Sequence, residues 1–321
     1  MKAMVYRDYG TADVLKLEEV EKPTPADNEV LLRVRAAAVN PADYHLMGGA
    51  YVMRLMTGLR RPKPTCPGID LAGEVEAVGR GVTRFHPGDP VFGGAKGAFA
   101  EYACTSEDRL APKPANLTFE QAAAIPVAGL TALQGLRDKG RLQPGQKVLI
   151  NGAAGGVGTF AVQIAKAFGA DVTGVCSTKN VDLVRSLGAD QVIDYTRDDY
   201  TRSAQRYDLL FDGVGNRALS ACRRVMTAKG TFVAVGVRPG GRWVGPLPHL
   251  FGLLVSARFV GQRVVFFVAK VLRDDLMVLK ELMERKKVTP VVDRRYPLTE
   301  AAEAIRYLRE GHARGKVVIT V

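Results

Sequence analysis

The run Lys147-Val148-Leu149-Ile150-Asn151, followed at once by Gly152-Ala153-Ala154-Gly155-Gly156-Val157-Gly158, constrains this chain more than any other stretch. Val148 to Ile150 reads as a short buried strand. Phe160, Ile164 and Phe168 then recur every four residues, with Ala161 and Ala165 beside them, as on the packed face of a helix. A strand entering a helix through a glycine turn lets a ligand approach the backbone, because no Cβ stands in the way. The helix N-terminus then points free N–H groups at that ligand. A dinucleotide pyrophosphate needs this order of elements, and Gly155, Gly156 and Gly158 supply its tight turn, its close approach and its helix packing.

Glycine-rich turns without a ligand are common, so the end of the next strand sharpens the reading. Sites that prefer NAD carry an acid about 20 residues past the glycines, where it binds the ribose 2′-hydroxyl. Here the strand Asp171 to Cys176 ends instead in Ser177, Thr178, Lys179 and Asn180. A hydroxyl and an ammonium at that place suit a 2′-phosphate through charge-assisted hydrogen bonds, which points to NADPH. The competing reading of Lys179 is a solvated loop lysine, and it leaves the missing acid unexplained.

With 321 residues, 47% of them hydrophobic, and 34 glycines, the chain can build two lobes with substantial cores and many tight turns. Its formal net charge of +12 would suit an anionic cofactor, a membrane surface or nucleic acid. The basic residues are spread from Lys2 to Lys316 without a nucleic-acid motif, so nucleic acid is not an expected partner. Cys66, Cys104, Cys176 and Cys222 form no C-x-x-C pair, which suggests neither zinc nor a disulfide framework. The N-terminus has no apolar signal core, and a cytoplasmic protein is expected. The apolar runs Leu250 to Ala257 and Val264 to Ala269 are too short to span a bilayer, so at most a peripheral membrane contact is expected.

Residues 1 to about 118 read as β-rich and full of turns, with strands expected at 30–35, 73–78, 88–93 and 97–102. Beyond them helical pieces at 122–124 and 129–132 lead into alternating strands and helices, the pattern of a parallel doubly wound sheet. Its strands are expected at 147–151, 171–176, 191–195, 209–212 and 231–235. Helices at 275–285 and 299–310 and a strand at 316–321 close the chain.

Taken together, the chain resembles the medium-chain dehydrogenase/reductase superfamily, in its zinc-independent quinone oxidoreductase-like branch. The similarity runs nearly end to end: Ala38-Val-Asn-Pro-Ala-Asp43, Pro67-Gly-Ile-Asp-Leu-Ala-Gly73, the Gly88 and Gly97 segments, Ala123-Ala-Ile-Pro-Val-Ala-Gly-Leu-Thr-Ala132, the glycine fingerprint and Gly311-His-Ala-Arg-Gly-Lys-Val317. The resemblance implies an α/β protein: a GroES-like β-rich catalytic domain (1–121 and 264–321) and an inserted Rossmann domain that binds NADPH (122–263). It also implies a homodimer joined through the edges of the Rossmann sheets, and the apolar strand expected near Phe259, Val260 and Gly261 is the candidate edge.

Zinc alcohol dehydrogenases of the superfamily place a cysteine where Asn40 stands and a His-Glu pair where Ile69-Asp70 stands, and Ala42 replaces their proton-relay hydroxyl. The resemblance therefore implies no metal. A site without a Lewis acid handles simple alcohols poorly. The chemistry left is hydride transfer to a small hydrophobic electrophile, a quinone or an α,β-unsaturated carbonyl, with a hydrogen bond to the developing oxyanion. Asn40 and Tyr44 are the candidate donors, in their alternative roles a turn residue before Pro41 and a packed aromatic. Asp43, His45 and Asp70 are expected to be structural.

For the cofactor the resemblance implies Thr131 near the nicotinamide, Gly155, Gly156 and Val157 at the pyrophosphate, Ser177 and Lys179 at the 2′-phosphate, and Tyr195 on the adenosine side. Gly215 and Gly236 leave room at strand ends, and Phe266, Phe267 and Lys316 complete the nicotinamide side in relatives, their alternative roles being core aromatics for the two phenylalanines and a surface charge at the start of an edge strand for Lys316. Loops 50–66 and 237–257 depart from compact relatives, and the first, with Tyr51, Met53, Leu55 and Met56, reads either as a lid over a hydrophobic substrate or as a surface packed against a dimer mate. Two other functions fit the same residues: an enoyl-thioester reductase, and a catalytically silent NADPH-binding sensor or structural protein.

Overall fold

The computed structural model describes residues 1–49, 54, 58–63, 66–236 and 261–321. Most of loop 50–66, all of loop 237–257 and the candidate dimer-edge residues Phe259 and Val260 lie outside these described residues. The chain forms two compact units. One comprises Met1–Val127, Lys270–Lys286 and Pro290–Val321, and the other Ala128–Ala269 and Lys287–Thr289.

The first unit begins with an antiparallel pair, β1 (Lys2–Val5) and β2 (Lys16–Glu19). Then come β3 (Glu29–Ala38), helix α1 (Pro41–Gly48), β4 (Asp70–Val78), β5 (Pro90–Gly94), β6 (Tyr102–Ser106), β7 (Leu110–Pro112) and helix α2 (Phe119–Ala123). Along β3 the alternate residues Val30, Leu32 and Val34 are buried on one face, while Arg33 on the other face is exposed, and Ala36 to Ala38 are buried at the end of the strand. The strand expected at 97–102 starts later, at Tyr102. Gly97 has φ +76°, and Gly97, Ala98 and Phe99 donate their N–H groups to Gly68 O and Pro67 O, so this stretch is a turn rather than a ladder.

In the second unit, helix α3 (Pro126–Gln134), whose first two residues still belong to the first unit, and a π-helical turn (Gly135–Gly140) precede six strands: β8 (Lys147–Asn151), β9 (Asp171–Cys176), β10 (Gln191–Asp194), β11 (Tyr207–Asp212), β12 (Met226–Ala234) and β13 (Arg263–Phe266). Helices α4 (Gly156–Ala167), α5 (Val181–Ser186) and α6 (Leu219–Arg223) lie between them in sequence. The strand order β10-β9-β8-β11-β12-β13, parallel throughout, is that of a doubly wound Rossmann sheet. Phe160, Ala161, Ile164 and Ala165 of α4 are buried, as their spacing requires.

The chain then returns to the first unit with α7 (Arg273–Glu284), β14 (Val292–Pro297), α8 (Ala301–Arg309) and β15 (Lys316–Thr320). This completes a sheet of order β14-β15-β3-β4-β5-β7, with β6 also paired to β3. The units break after residues 127 and 269, where the sequence places domain boundaries after 121 and 263. The later second break follows from β13, which pairs with β12 as the sixth parallel strand. Among the described residues no helix is long and apolar enough to cross a membrane.

Candidate functional site

In the Rossmann unit the turn after β8 has the geometry that an anionic ligand needs. Gly152 has φ +85°, a conformation that disfavours side chains. Gly155 caps α4, and its N–H donates to Gly152 O at 3.0 Å. The first N–H groups of α4 have no acceptor within the helix, and Gly155, Gly156 and Val157 are all partly accessible. A Cβ on Gly155 would meet only Gly152 O, at 3.4 Å. The open cradle beside a helix N-terminus fits a dinucleotide pyrophosphate.

Ser177 and Lys179 follow directly on β9. Ser177 is partly buried and its Oγ accepts from Asn180 Nδ2 at 3.2 Å, while Lys179 is exposed and makes no ion pair among the described residues. The structure also brings in a carboxylate that the sequence reading missed. Asp194 ends β10, opposite Cys176 at the end of β9. It accepts hydrogen bonds from Thr178 Oγ1 at 2.5 Å and Thr196 Oγ1 at 2.8 Å, and lies 3.7 Å from Arg197. The Thr178 hydroxyl is the main influence holding its carboxyl below the usual range. Asp194 thus braces the turn that carries Lys179. Tyr195 is half exposed and donates its backbone N–H to Cys176 O at 3.0 Å.

A second group missed in the sequence is Asp212, buried at the end of β11. Its Oδ1 accepts from Val214 N at 3.0 Å, Gly215 N at 2.9 Å and Asn151 Nδ2 at 2.9 Å, and so shapes the turn that follows. The signal was available, since an aspartate followed by Gly-Val-Gly favours a side-chain-capped turn. Gly215 has φ +71°. A Cβ on Gly236 would stand 2.3 Å from the carbonyl carbon of Gly213. Thr131 lies partly buried in α3, Phe266 ends β13 against the sheet core, and a Cβ on Gly135 would meet the Phe267 ring at 3.3 Å.

Sheet register in the first unit explains a different cluster. Val318 pairs with Ala38, and Ala38 with Asp70, so β15 and β4 flank the end of β3. Asn40, two residues on, is extended and caps α1. Its Nδ2 donates to Asp70 Oδ2 at 3.0 Å and to Ala38 O at 3.3 Å, and its Oδ1 accepts from Lys316 Nζ at 2.6 Å. Both amide hydrogens that were expected to serve a substrate oxyanion are therefore engaged inside the fold. Lys316, expected on the nicotinamide side, is buried with Asn40 and Asp70. Tyr44, in α1, is partly buried beside His45 with ring centroids 4.5 Å apart. Its hydroxyl has no hydrogen-bond partner among the described residues, and burial raises its pKa.

Asp43 belongs to the same cluster and accepts from Asn40 N at 2.7 Å. Burial, reinforced by the neighbouring Asp70 charge, pushes its carboxyl up to about 7 against the opposing Asn40 hydrogen bond. A carboxyl that titrates higher in the folded chain stabilises the fold most below its unfolded pKa of about 4. It loses that contribution as pH rises through about 7. Asp43→Asn, which keeps an acceptor oxygen, should therefore flatten the fall in melting temperature between about pH 4 and 7. Identical slopes for the two proteins would contradict this assignment.

Two family models match the chain: an alcohol dehydrogenase GroES-like domain over residues 26–115 and a zinc-binding dehydrogenase over residues 187–319. The residues present do not fit the zinc of the second description. Among the described residues no three His, Cys, Asp or Glu side chains are grouped to hold a metal ion, and the oxygens of Asn40 and Asp70 already face an ammonium. An NADPH-dependent alkenal/one oxidoreductase of Arabidopsis thaliana is 37% identical over 99% of this chain and 79% of its own length. The quinone oxidoreductase of Coxiella burnetii superposes with a TM-score of 0.88 at 32% identity, covering 100% of this chain and 99% of that one. The Escherichia coli quinone oxidoreductase, solved in complex with NADPH, does so with a TM-score of 0.83 at 26% identity over 100% of both chains. With the glycine cradle and both domain types in place, this chain belongs to the medium-chain dehydrogenase/reductase superfamily, in its NAD(P)H-dependent quinone and alkenal/one oxidoreductase branch.

Proposed function

We propose that the protein is a metal-free, NADPH-dependent reductase of quinones or α,β-unsaturated carbonyls. The observation that carries this reading is the open glycine cradle at the start of α4, with Ser177 and Lys179, rather than an acid, following β9. When bound, the nicotinamide supplies a hydride. Gly156 and Val157 hold the pyrophosphate with backbone N–H groups, and Gly155, whose own N–H is bonded to Gly152 O, leaves the approach open. Ser177 and Lys179 take the 2′-phosphate, Tyr195 flanks the adenosine, and Thr131, Gly215, Gly236, Phe266 and Phe267 shape the remaining length.

Tyr44 is the proposed donor to the oxyanion that develops on the acceptor, because its hydroxyl is unengaged among the described residues and already lies in a partly desolvated place. Asn40 contributes by fixing the start of α1, and with it Tyr44. Lys316 acts through Asn40 and Asp70 rather than on the cofactor. A reduced quinone or an enolate takes its proton from water, so the site needs no dedicated acid. An electrophilic acceptor also needs no Lewis acid, which agrees with donor groups unsuited to zinc.

The test is NADPH consumption against quinones, enones and enoyl thioesters, with wild type and Tyr44→Phe. Wild type should turn over a quinone or an enone. The variant should lose roughly 100- to 1,000-fold in kcat with NADPH affinity retained, in line with loss of one oxyanion donor. Turnover confined to enoyl thioesters would reassign the substrate. NADPH binding without oxidation of any acceptor would make the protein a sensor.

A further inference from the structure

Lys316 and Asp70 form the one ion pair among the described residues in which both side chains are buried, with 4% and 0% of their side-chain surface exposed. We infer that the Lys316 ammonium is a built-in cation filling a cation site of the first unit, and that without it the same site accepts a small alkylammonium ion from solution. The register described above brings the site together. In the antiparallel pairing of β15 with β3, Val318 faces Ala38, and extending that pairing by two residues sets Lys316 beside Asn40.

The ammonium has three hydrogens and three oxygens around it: Asn40 Oδ1 at 2.6 Å, Asp70 Oδ2 at 3.3 Å and Val39 O at 3.3 Å. Each of these oxygens is fixed from elsewhere. Asp70 accepts from Val127 N at 2.9 Å and from Asn40 Nδ2, Val39 N donates to Val317 O at 3.0 Å, and Asn40 N is held by Asp43. The oxygens therefore keep their places when the lysine side chain is cut back. A buried carboxylate left without its partner is costly, and the three fixed oxygens favour a small cation that brings N–H donors to all of them.

An all-oxygen site with one carboxylate, its oxygens spaced for an ammonium, suits N–H donors and not zinc, which prefers sulfur and nitrogen ligands. This is the physical form of the disagreement with a zinc-binding description. The site also lies in a place that an ammonium already neutralises, so wild type should retain no zinc.

The experiment compares melting temperatures of wild type, Lys316→Ala, Lys316→Met and Lys316→Met/Asp70→Asn in sodium, methylammonium and tetramethylammonium chloride of equal ionic strength. Lys316→Ala should melt on the order of 10 °C below wild type. Methylammonium should restore a substantial part of that loss. Tetramethylammonium, which has no N–H, should restore none, and neither ion should affect wild type. Should Lys316→Ala fail to fold, the double variant melting above Lys316→Met would still establish the charge pair as the cause. Equal effects of the two organic ions, a Lys316→Ala variant as stable as wild type, or a double variant no better than Lys316→Met would overturn the inference. Stoichiometric zinc on wild type after incubation and desalting would overturn it as well. None of these readouts depends on the proposed reductase activity.

Discussion

Replacing Gly158 by alanine is expected to do more damage than any other single methyl group added to the Rossmann unit's ligand turn. The new Cβ would stand 2.0 Å from Gly152 O and 2.8 Å from the Cα and carbonyl carbon of Ala153. All three are backbone atoms of the turn itself, so no rotamer change relieves the overlap, and α4 must move away from β8. Overpacking of this kind costs about 1–3 kcal/mol or more. Because the same movement displaces the N–H groups of Gly156 and Val157, dinucleotide affinity should fall at least about 10-fold. Gly155→Ala separates the two effects. Its Cβ meets only Gly152 O, at 3.4 Å, so the fold should persist while the methyl group occupies the cradle. Calorimetry of both variants, with cofactor titrations, checks the pair of outcomes. A Gly158→Ala protein that melts and binds like wild type would show that the turn is not packed as described.

The second large effect is expected at Lys179. Its ammonium is exposed and makes no ion pair among the described residues, and the turn that carries it is braced by Thr178 on Asp194 at 2.5 Å. Hydrogen bonds to charged groups contribute about 1.5–3 kcal/mol, which is roughly a 10- to 100-fold change in affinity. Lys179→Ala should weaken NADPH by that order and leave NADH nearly unchanged, since only NADPH has the 2′-phosphate. Solvent exposure adds a second signature: the wild-type preference for NADPH should narrow as salt rises. Equal losses for the two cofactors, measured by fluorescence titration, would remove Lys179 from the 2′-phosphate site. Asp194 is the complication, a carboxylate on the neighbouring strand whose charge opposes a phosphate. Its bonds to two threonines and its approach to Arg197 at 3.7 Å temper that repulsion.

What could be read from the sequence was local in the chain. The strand, glycine turn and helix at 147–167 occupy one continuous segment, and Gly158 answers a steric demand from Gly152 and Ala153 within a few residues of itself. The five parallel strands expected from apolar runs are present, with ends that differ by a few residues. The sixth strand, Arg263–Phe266, lies a few residues beyond the edge strand expected near 259–261, because four residues bounded by charge and aromatics carry little periodic signal to fix its ends. Asn40, Asp70 and Lys316 were each singled out, but their meeting was not foreseen. Lys316 and Asp70 are 246 residues apart and meet through the register of β15 and β4 on β3, which no local pattern encodes. That long-range placement is also why Asn40 reads as a free donor in sequence and as a saturated one in the fold.

Following the hydride itself decides whether NADPH delivers it to an electrophilic carbon of the acceptor. Purified protein would be incubated with an enone or a quinone and NADPH deuterated at the nicotinamide C4, and the product examined by mass spectrometry and NMR. The expected result is one deuterium per product molecule, at the β-carbon of a saturated ketone for an enone. For a quinone, the deuterated cofactor should be consumed in equal amount to the hydroquinone formed. Undiminished NADPH after saturable binding, or a reduced product whose β-carbon carries only hydrogen from solvent, would contradict it.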